Sequence, residues 1–207
     1  MARSVIMESV RGLVPIRLDD VLMRDRNIFL CDEVTSESSN EIIKELLYME
    51  SVDDGKPINL FINSPGGSVT DGLAVYDVIT LLKSPVNAIV TGLAASMGSI
   101  ILLACSKERR FMLPSSRIMV HDCSWHHNDL GGKKPYEVEE ELKQLKSTNE
   151  RLVSIIAERT GKTVKEVAKV TKYDSYFSAQ EAIEFGLASK IIDPETLSGL
   201  MKKGALC

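Results

Sequence analysis

The sequence is poor in the residues that mark several large functional classes. Of its 207 residues 5% are aromatic, with a single tryptophan, Trp125. Base-stacking platforms for single-stranded nucleic acid need more than that. Positive charge is not in excess either: 25 Lys and Arg against 29 Asp and Glu leave a formal net charge of −4. A nucleic-acid surface would need a basic patch or stripe, so no nucleic-acid partner is expected. The four cysteines, Cys31, Cys105, Cys123 and Cys207, show no C-x-x-C spacing. They read as reduced thiols of a cytoplasmic protein. The longest apolar-rich segments, 86–95 and 100–105, fall far short of membrane-spanning length. The opening stretch MARSVIMESVRG has scattered charge and no secretory apolar core.

What is present has the proportions of one compact domain, 44% hydrophobic and 26% charged. Segments 27–31 (NIFLC), 58–63 (INLFIN), 86–95 and 117–120 read as strands. Between them, Ile42, Ile43, Leu46, Leu47 and Met49 give an amphipathic helix opening after the cap signals Ser38-Ser39-Asn40. A second helix covers 69–82 and stops at Ser84-Pro85, and an apolar helix covers 96–105. Strands alternating with helices predict an α/β fold around a largely parallel sheet. From 135 to 159 the pattern changes to one long helix. Val138, Leu142, Leu145, Leu152 and Ile156 form a narrow apolar stripe, with Asn149 in its gap. Such a stripe fits a helix lying on its own domain, and equally an arm sealing against another subunit. In the second reading Asn149 is the polar residue that fixes register.

The stretch Thr91-Gly92-Leu93-Ala94-Ala95-Ser96-Met97-Gly98-Ser99 ends a strand among small residues and starts a helix at a serine. Gly92, Ala94, Ala95 and Gly98 would leave room for a substrate backbone. Unpaired N–H groups and the positive dipole end would lie beside Ser96. That suits a nucleophile whose attack builds negative charge, although serine is also a favoured helix cap. Ile62-Asn63-Ser64-Pro65-Gly66-Gly67-Ser68 is a strand-turn-helix junction whose backbone N–H groups could form an oxyanion hole, or simply a turn.

A base working near neutral pH is most simply histidine. His121 directly follows a strand, whereas His126 and His127 sit in a polar loop that would hold no precise geometry. His121, Cys123, His126, His127 and Asp129 have metal-ligand chemistry, but their spacing fits no compact zinc pattern, so no metal is expected. Gly161-Lys162-Thr163 has Ile156 where a phosphate loop needs its first glycine, so the chain is not expected to hydrolyse ATP. The acid that would orient the histidine cannot be found from spacing, because the fold brings such groups together.

The segments 92–99, 62–68 and Ser116-Arg117-Ile118-Met119-Val120-His121, with the tail Tyr173-Asp174-Ser175-Tyr176-Phe177-Ser178-Ala179-Gln180-Glu181-Ala182, occur in the order seen in one family. Together they resemble the proteolytic subunit of the Clp protease (ClpP) over roughly 14–193. The resemblance implies a single domain over 1–207 with a crotonase/ClpP-like spiralled core and a protruding helical handle at about 134–160. It implies a serine endopeptidase cleaving unfolded polypeptides, with Ser96 as nucleophile, His121 as base and Asp174 as acid. The backbone N–H groups of Gly67 and Met97 would form the oxyanion hole, and no cofactor would be needed. Implied partners are further copies in heptameric rings stacked as a tetradecamer and a hexameric AAA+ unfoldase that spends the ATP, with a mixed ring holding a second paralogue of this subunit as the alternative to a homomeric one. The chain departs from the family at Asp122-Cys123, where Gln-Pro is usual, and in the longer loop carrying Trp125-His126-His127. It departs again at Lys172-Tyr173, which replace an acid–arginine pair used between rings. Two other readings are a catalytically weak structural paralogue in a mixed ring and a crotonase-like acyl-thioester enzyme.

Overall fold

A computed structural model describes residues 4–9, 12–124 and 132–200. The chain opens with an antiparallel hairpin, β1 (Ser4–Ser9) and β2 (Gly12–Arg17), and a short helix α1 (Leu18–Arg24). Then β3 (Asn27–Leu30), α2 (Ser36–Val52), β4 (Ile58–Ser64), α3 (Val69–Leu81), β5 (Val86–Ala95) and α4 (Met97–Ala104) alternate. After them come β6 (Arg110–Met112), β7 (Arg117–Val120), the long α5 (Pro135–Thr160) and α6 (Val164–Thr171). The described chain closes with β8 (Ser175–Ser178), α7 (Ala179–Phe185), β9 (Lys190–Ile191) and α8 (Pro194–Leu200). The main sheet runs β3-β4-β5-β6-β9, all parallel. Beyond Thr91, β5 changes neighbour and pairs with β7, to which β8 adds antiparallel. The expected α/β architecture is what the chain forms.

Period-two alternation sorts each central strand between two faces. Ile28, Leu30, Ile58, Leu60, Ile62, Val86, Ala88 and Val90 enter the main core with Ile42, Leu46 and Met49 of α2 and Ile100 to Leu103 of α4. On the opposite face Asn27, Asn59 and Asn87 lie in register across three strands. Asn59 Nδ2 donates to Asn27 Oδ1, and Asn87 Nδ2 to Asn59 Oδ1, both at 2.9 Å. Arg109 closes the ladder by donating to Asn87 Oδ1. Each buried amide thus finds a partner, which buried polar groups require.

Helix ends follow local chemistry. The cap of α2 is not at Ser38-Ser39-Asn40, as the sequence reading has it, but at Thr35. Thr35 Oγ1 accepts from Ser38 N while Ser38 Oγ accepts from Thr35 N, a reciprocal box that starts the helix at Ser36. Leu47 faces solvent, because it lies off the face defined by Ile42, Leu46 and Met49. Gly161-Lys162-Thr163 joins two helices: Gly161 ends α5 in the left-handed region and Thr163 caps α6 in a box with Glu166.

The apolar stripe on α5 divides. Leu152 and Ile156, with Val153 and Ala157, enter the protomer's own core, whereas Tyr136 and Leu142 toward the N-terminus are exposed. The stripe is therefore not one continuous seam. Asn149 Oδ1 accepts from the backbone N–H of Cys123 within the same chain.

One buried charge ties the helices together. Arg110 is 1% exposed and donates to Cys105 O and Arg159 O at 2.9 Å, with longer contacts to Leu103 O and Gly186 O at 3.5 Å. The guanidinium gathers the carbonyl ends of α4, α5 and α7, where the helix dipoles are negative. Burial lowers its pKa to about 10, so it stays charged at neutral pH. Arg110→Met would strand several buried carbonyls at once, at a cost of about 3–5 kcal/mol. The urea midpoint should fall accordingly, and a loss below about 1 kcal/mol would show that these ends are satisfied otherwise.

Candidate active site

Ser96 sits between β5 and α4 with φ 50° and ψ −121°, a left-handed conformation costly for a residue with a Cβ. Its N–H donates to Met119 O at 2.9 Å, and its carbonyl accepts from Ser99 N and Ser99 Oγ. The side chain makes no capping bond to α4. The plain helix-cap reading of this serine is thus not what the structure adopts. Its hydroxyl turns instead toward His121, with Oγ 2.9 Å from Nε2.

His121 stands one residue beyond β7 and is half-buried. Its other ring nitrogen, Nδ1, lies 3.3 Å from Asp174 Oδ1. A carboxylate facing Nδ1 favours the proton there, which leaves Nε2 to accept from the Ser96 hydroxyl. Asp174 lies just before β8, which pairs with β7 so that Val120 faces Ser175. That pairing brings together residues 53 positions apart, which no spacing in the sequence announces. The Asp174 side chain is 64% exposed, and its contact is longer than a charge-assisted bond at its tightest. Such contacts commonly tighten only when substrate is bound.

The turn Pro65-Gly66-Gly67 closes the opposite wall. A Cβ on Gly66, at φ 93°, would lie 2.6 Å from Ser96 Cβ and 2.9 Å from Met97 N, so only glycine lets the two turns touch. Gly67, at φ 147°, is pressed against Val34, whose carbonyl would lie 2.3 Å from an added Cβ. Val34 N donates to Gly66 O and Ser68 N to Val34 O, a short bridge that fixes the turn. Neither Gly67 N–H nor Met97 N–H has a hydrogen-bond partner among the described residues. Two free donors beside the serine, one at a helix N-terminus, can receive negative charge that develops there.

The small residues flanking Ser96 are packed into the strand–helix junction. Ala94 and Ala95 are buried, Gly92 makes room for the Asn63 side chain, and Gly98 packs on Ser64. They set the strand–helix junction against β4. The open space is a cavity of about 660 Å³ lined by Gly67, Val69, Ser96, Met119 and His121. Leu145, Leu152 and Ile156 of α5 line it as well, so this helix walls the site. Its apolar stripe was the only signal of that in the sequence.

Cys123 shares the cavity, but burial raises its thiol pKa, which makes it a poor thiolate. His126, His127 and Asp129, weighed as metal ligands with His121 and Cys123, lie outside the described residues. Among the described residues no three His, Cys, Asp or Glu side chains are gathered as a metal site. Nor is any described helix long and apolar enough to cross a membrane.

Comparison with known proteins agrees with the geometry. The family described as Clp protease matches residues 14–195. The ATP-dependent Clp protease proteolytic subunit 1 of Protochlamydia amoebophila (strain UWE25) is 43% identical over 177 residues, covering 86% of this chain and 85% of that protein. Neither the acyl-thioester reading nor the weak-paralogue reading is favoured by these likenesses. The chain belongs to the Clp protease family and is a serine peptidase of its proteolytic-subunit type.

Proposed function

We propose that this subunit hydrolyses unfolded polypeptides through an acyl-enzyme formed on Ser96. His121 Nε2 takes the hydroxyl proton as Ser96 Oγ attacks the peptide carbonyl. The N–H groups of Gly67 and Met97 hold the oxyanion while the carbonyl–nitrogen bond breaks. His121 then gives its proton to the leaving amine. Water repeats the sequence in reverse, with Asp174 holding the imidazole in one tautomer throughout. The observation that carries this reading is the 2.9 Å contact between Ser96 Oγ and His121 Nε2, on a serine that does no capping. No metal or organic cofactor enters these steps. A fluorophosphonate should modify Ser96, located by peptide mapping, and peptidase activity should fall in proportion. Labelling elsewhere, or activity surviving full labelling of Ser96, would overturn the assignment.

The same reading places the subunit in heptameric rings, stacked as a tetradecamer with copies of itself or a second paralogue. A hexameric AAA+ unfoldase would spend ATP to feed chains in. The free thiols of Cys31, Cys105 and Cys123 suit a cytoplasmic setting. An enclosed chamber would keep so open a site from folded proteins. The exposed N-terminal half of α5, with Tyr136 and Leu142, is the surface best suited to meet the facing ring. Leu142→Asp should halve the particle mass in sedimentation while the secondary structure stays intact. An unchanged tetradecamer would exclude this half of α5 as the contact. Leu145 is a poorer probe, because it lines the cavity and would disturb the site directly.

A further inference from the structure

The pairing of β7 with its neighbours ends at Val120, so His121 is not itself held by the sheet. Two backbone ties secure the residues that follow. Asp122 N–H donates to Thr171 O, the end of α6, at 2.6 Å. Cys123 N–H donates to Asn149 Oδ1 at 3.1 Å. Among the described residues this second bond is the only hydrogen bond between α5 and segment 121–124. Asn149 is half-buried and stands one turn before Leu152 and Val153, where α5 enters the core. Its oxygen must face the donor, so the amide orientation is set. We infer that Asn149 is a positioning residue for the reaction, whose side-chain oxygen fixes the backbone after His121 and thereby the approach of Nε2 to Ser96.

The inference rests on the proposed roles of Ser96 and His121, and it concerns a residue that touches neither substrate nor reacting atoms. An imidazole displaced by about 1 Å costs on the order of 100-fold in rate. Loss of the tie should therefore lower kcat and leave substrate binding nearly intact. Asn149→Leu keeps the side-chain size and removes the acceptor, whereas Asn149→Asp keeps both the shape and an oxygen acceptor.

The experiment compares the three full-length proteins with a peptide substrate, after circular dichroism and sedimentation establish equal folding and assembly. Asn149→Leu should lose about 10- to 100-fold in kcat with KM within twofold, and Asn149→Asp should stay within about threefold of the parent. Fluorophosphonate labelling of Ser96 should slow in the leucine variant by a similar factor. Retention of more than half of kcat by Asn149→Leu would overturn the inference. So would equal losses in both variants, or a rise in KM that accounts for the whole effect. Hydrogen exchange of the unaltered protein gives a readout needing neither variant nor activity. The Cys123 amide should be protected, and exchange there at the free-chain rate would refute the tie even if Asn149→Leu failed to fold. Absence of Ser96 labelling in the parent would count instead against the proposed chemistry.

Discussion

Ser96→Ala is expected to lower peptide hydrolysis by about 10⁴- to 10⁶-fold, because among the described residues Ser96 Oγ is the nucleophile in contact with His121 Nε2. Cys123 is near, but burial raises its pKa, and the described histidine, His121, faces Ser96 through Nε2. The substitution should leave the fold intact. The Ser96 hydroxyl makes no cap, its partner among the described residues is the His121 ring, and the backbone bonds to Met119 and Ser99 use the Ser96 main chain. Alanine pays the same penalty as serine at positive φ, so the unfolding free energy should move by less than about 1 kcal/mol. Activity and stability, measured on one preparation, thus separate a chemical role from a structural one. Residual activity above a tenth of the parent would remove Ser96 from the mechanism. A large loss of stability would mean that its hydroxyl holds the junction together.

Asp174→Asn should cost about 10²- to 10⁴-fold in kcat. An asparagine can turn its NH₂ toward Nδ1, which then must accept, and the ring proton moves to Nε2. That tautomer cannot take the proton of Ser96. The lower end of the range reflects the 64% exposure of the Asp174 side chain and its 3.3 Å contact, since water can partly replace an exposed carboxylate. Asp122 is the control. It adjoins His121 in sequence and has a buried Oδ1 without a partner among the described residues, while its backbone N–H is bound to Thr171 O. Asp122→Asn should therefore affect kcat much less than Asp174→Asn. The reverse order in steady-state kinetics would make Asp122 the acid and Asp174 a bystander.

Much of this protein is written in short stretches of its chain. Compact apolar-rich runs in 58–63 and 86–95 announced β4 and β5, because a strand covered on both faces draws apolar residues in a near-continuous run. The extent of β7 was legible in its short apolar run and the end of α3 in Ser84-Pro85, and the capping boxes of α6 and α7 are local chemistry too. The motif around Ser96 announced a serine at a strand–helix junction. It could not announce that the serine ignores its helix and faces His121, since that needs the positive φ and the neighbouring strand together. Family resemblance, not spacing, pointed to Asp174. The fold then brought it to Nδ1 through the antiparallel pairing of β7 and β8, a register that depends on contacts distant in the chain. The tertiary structure alone decided how α5 divides between core and surface, and turned Asn149 inward to Cys123. A helical stripe states which residues share a face, but what covers that face depends on where the rest of the chain packs.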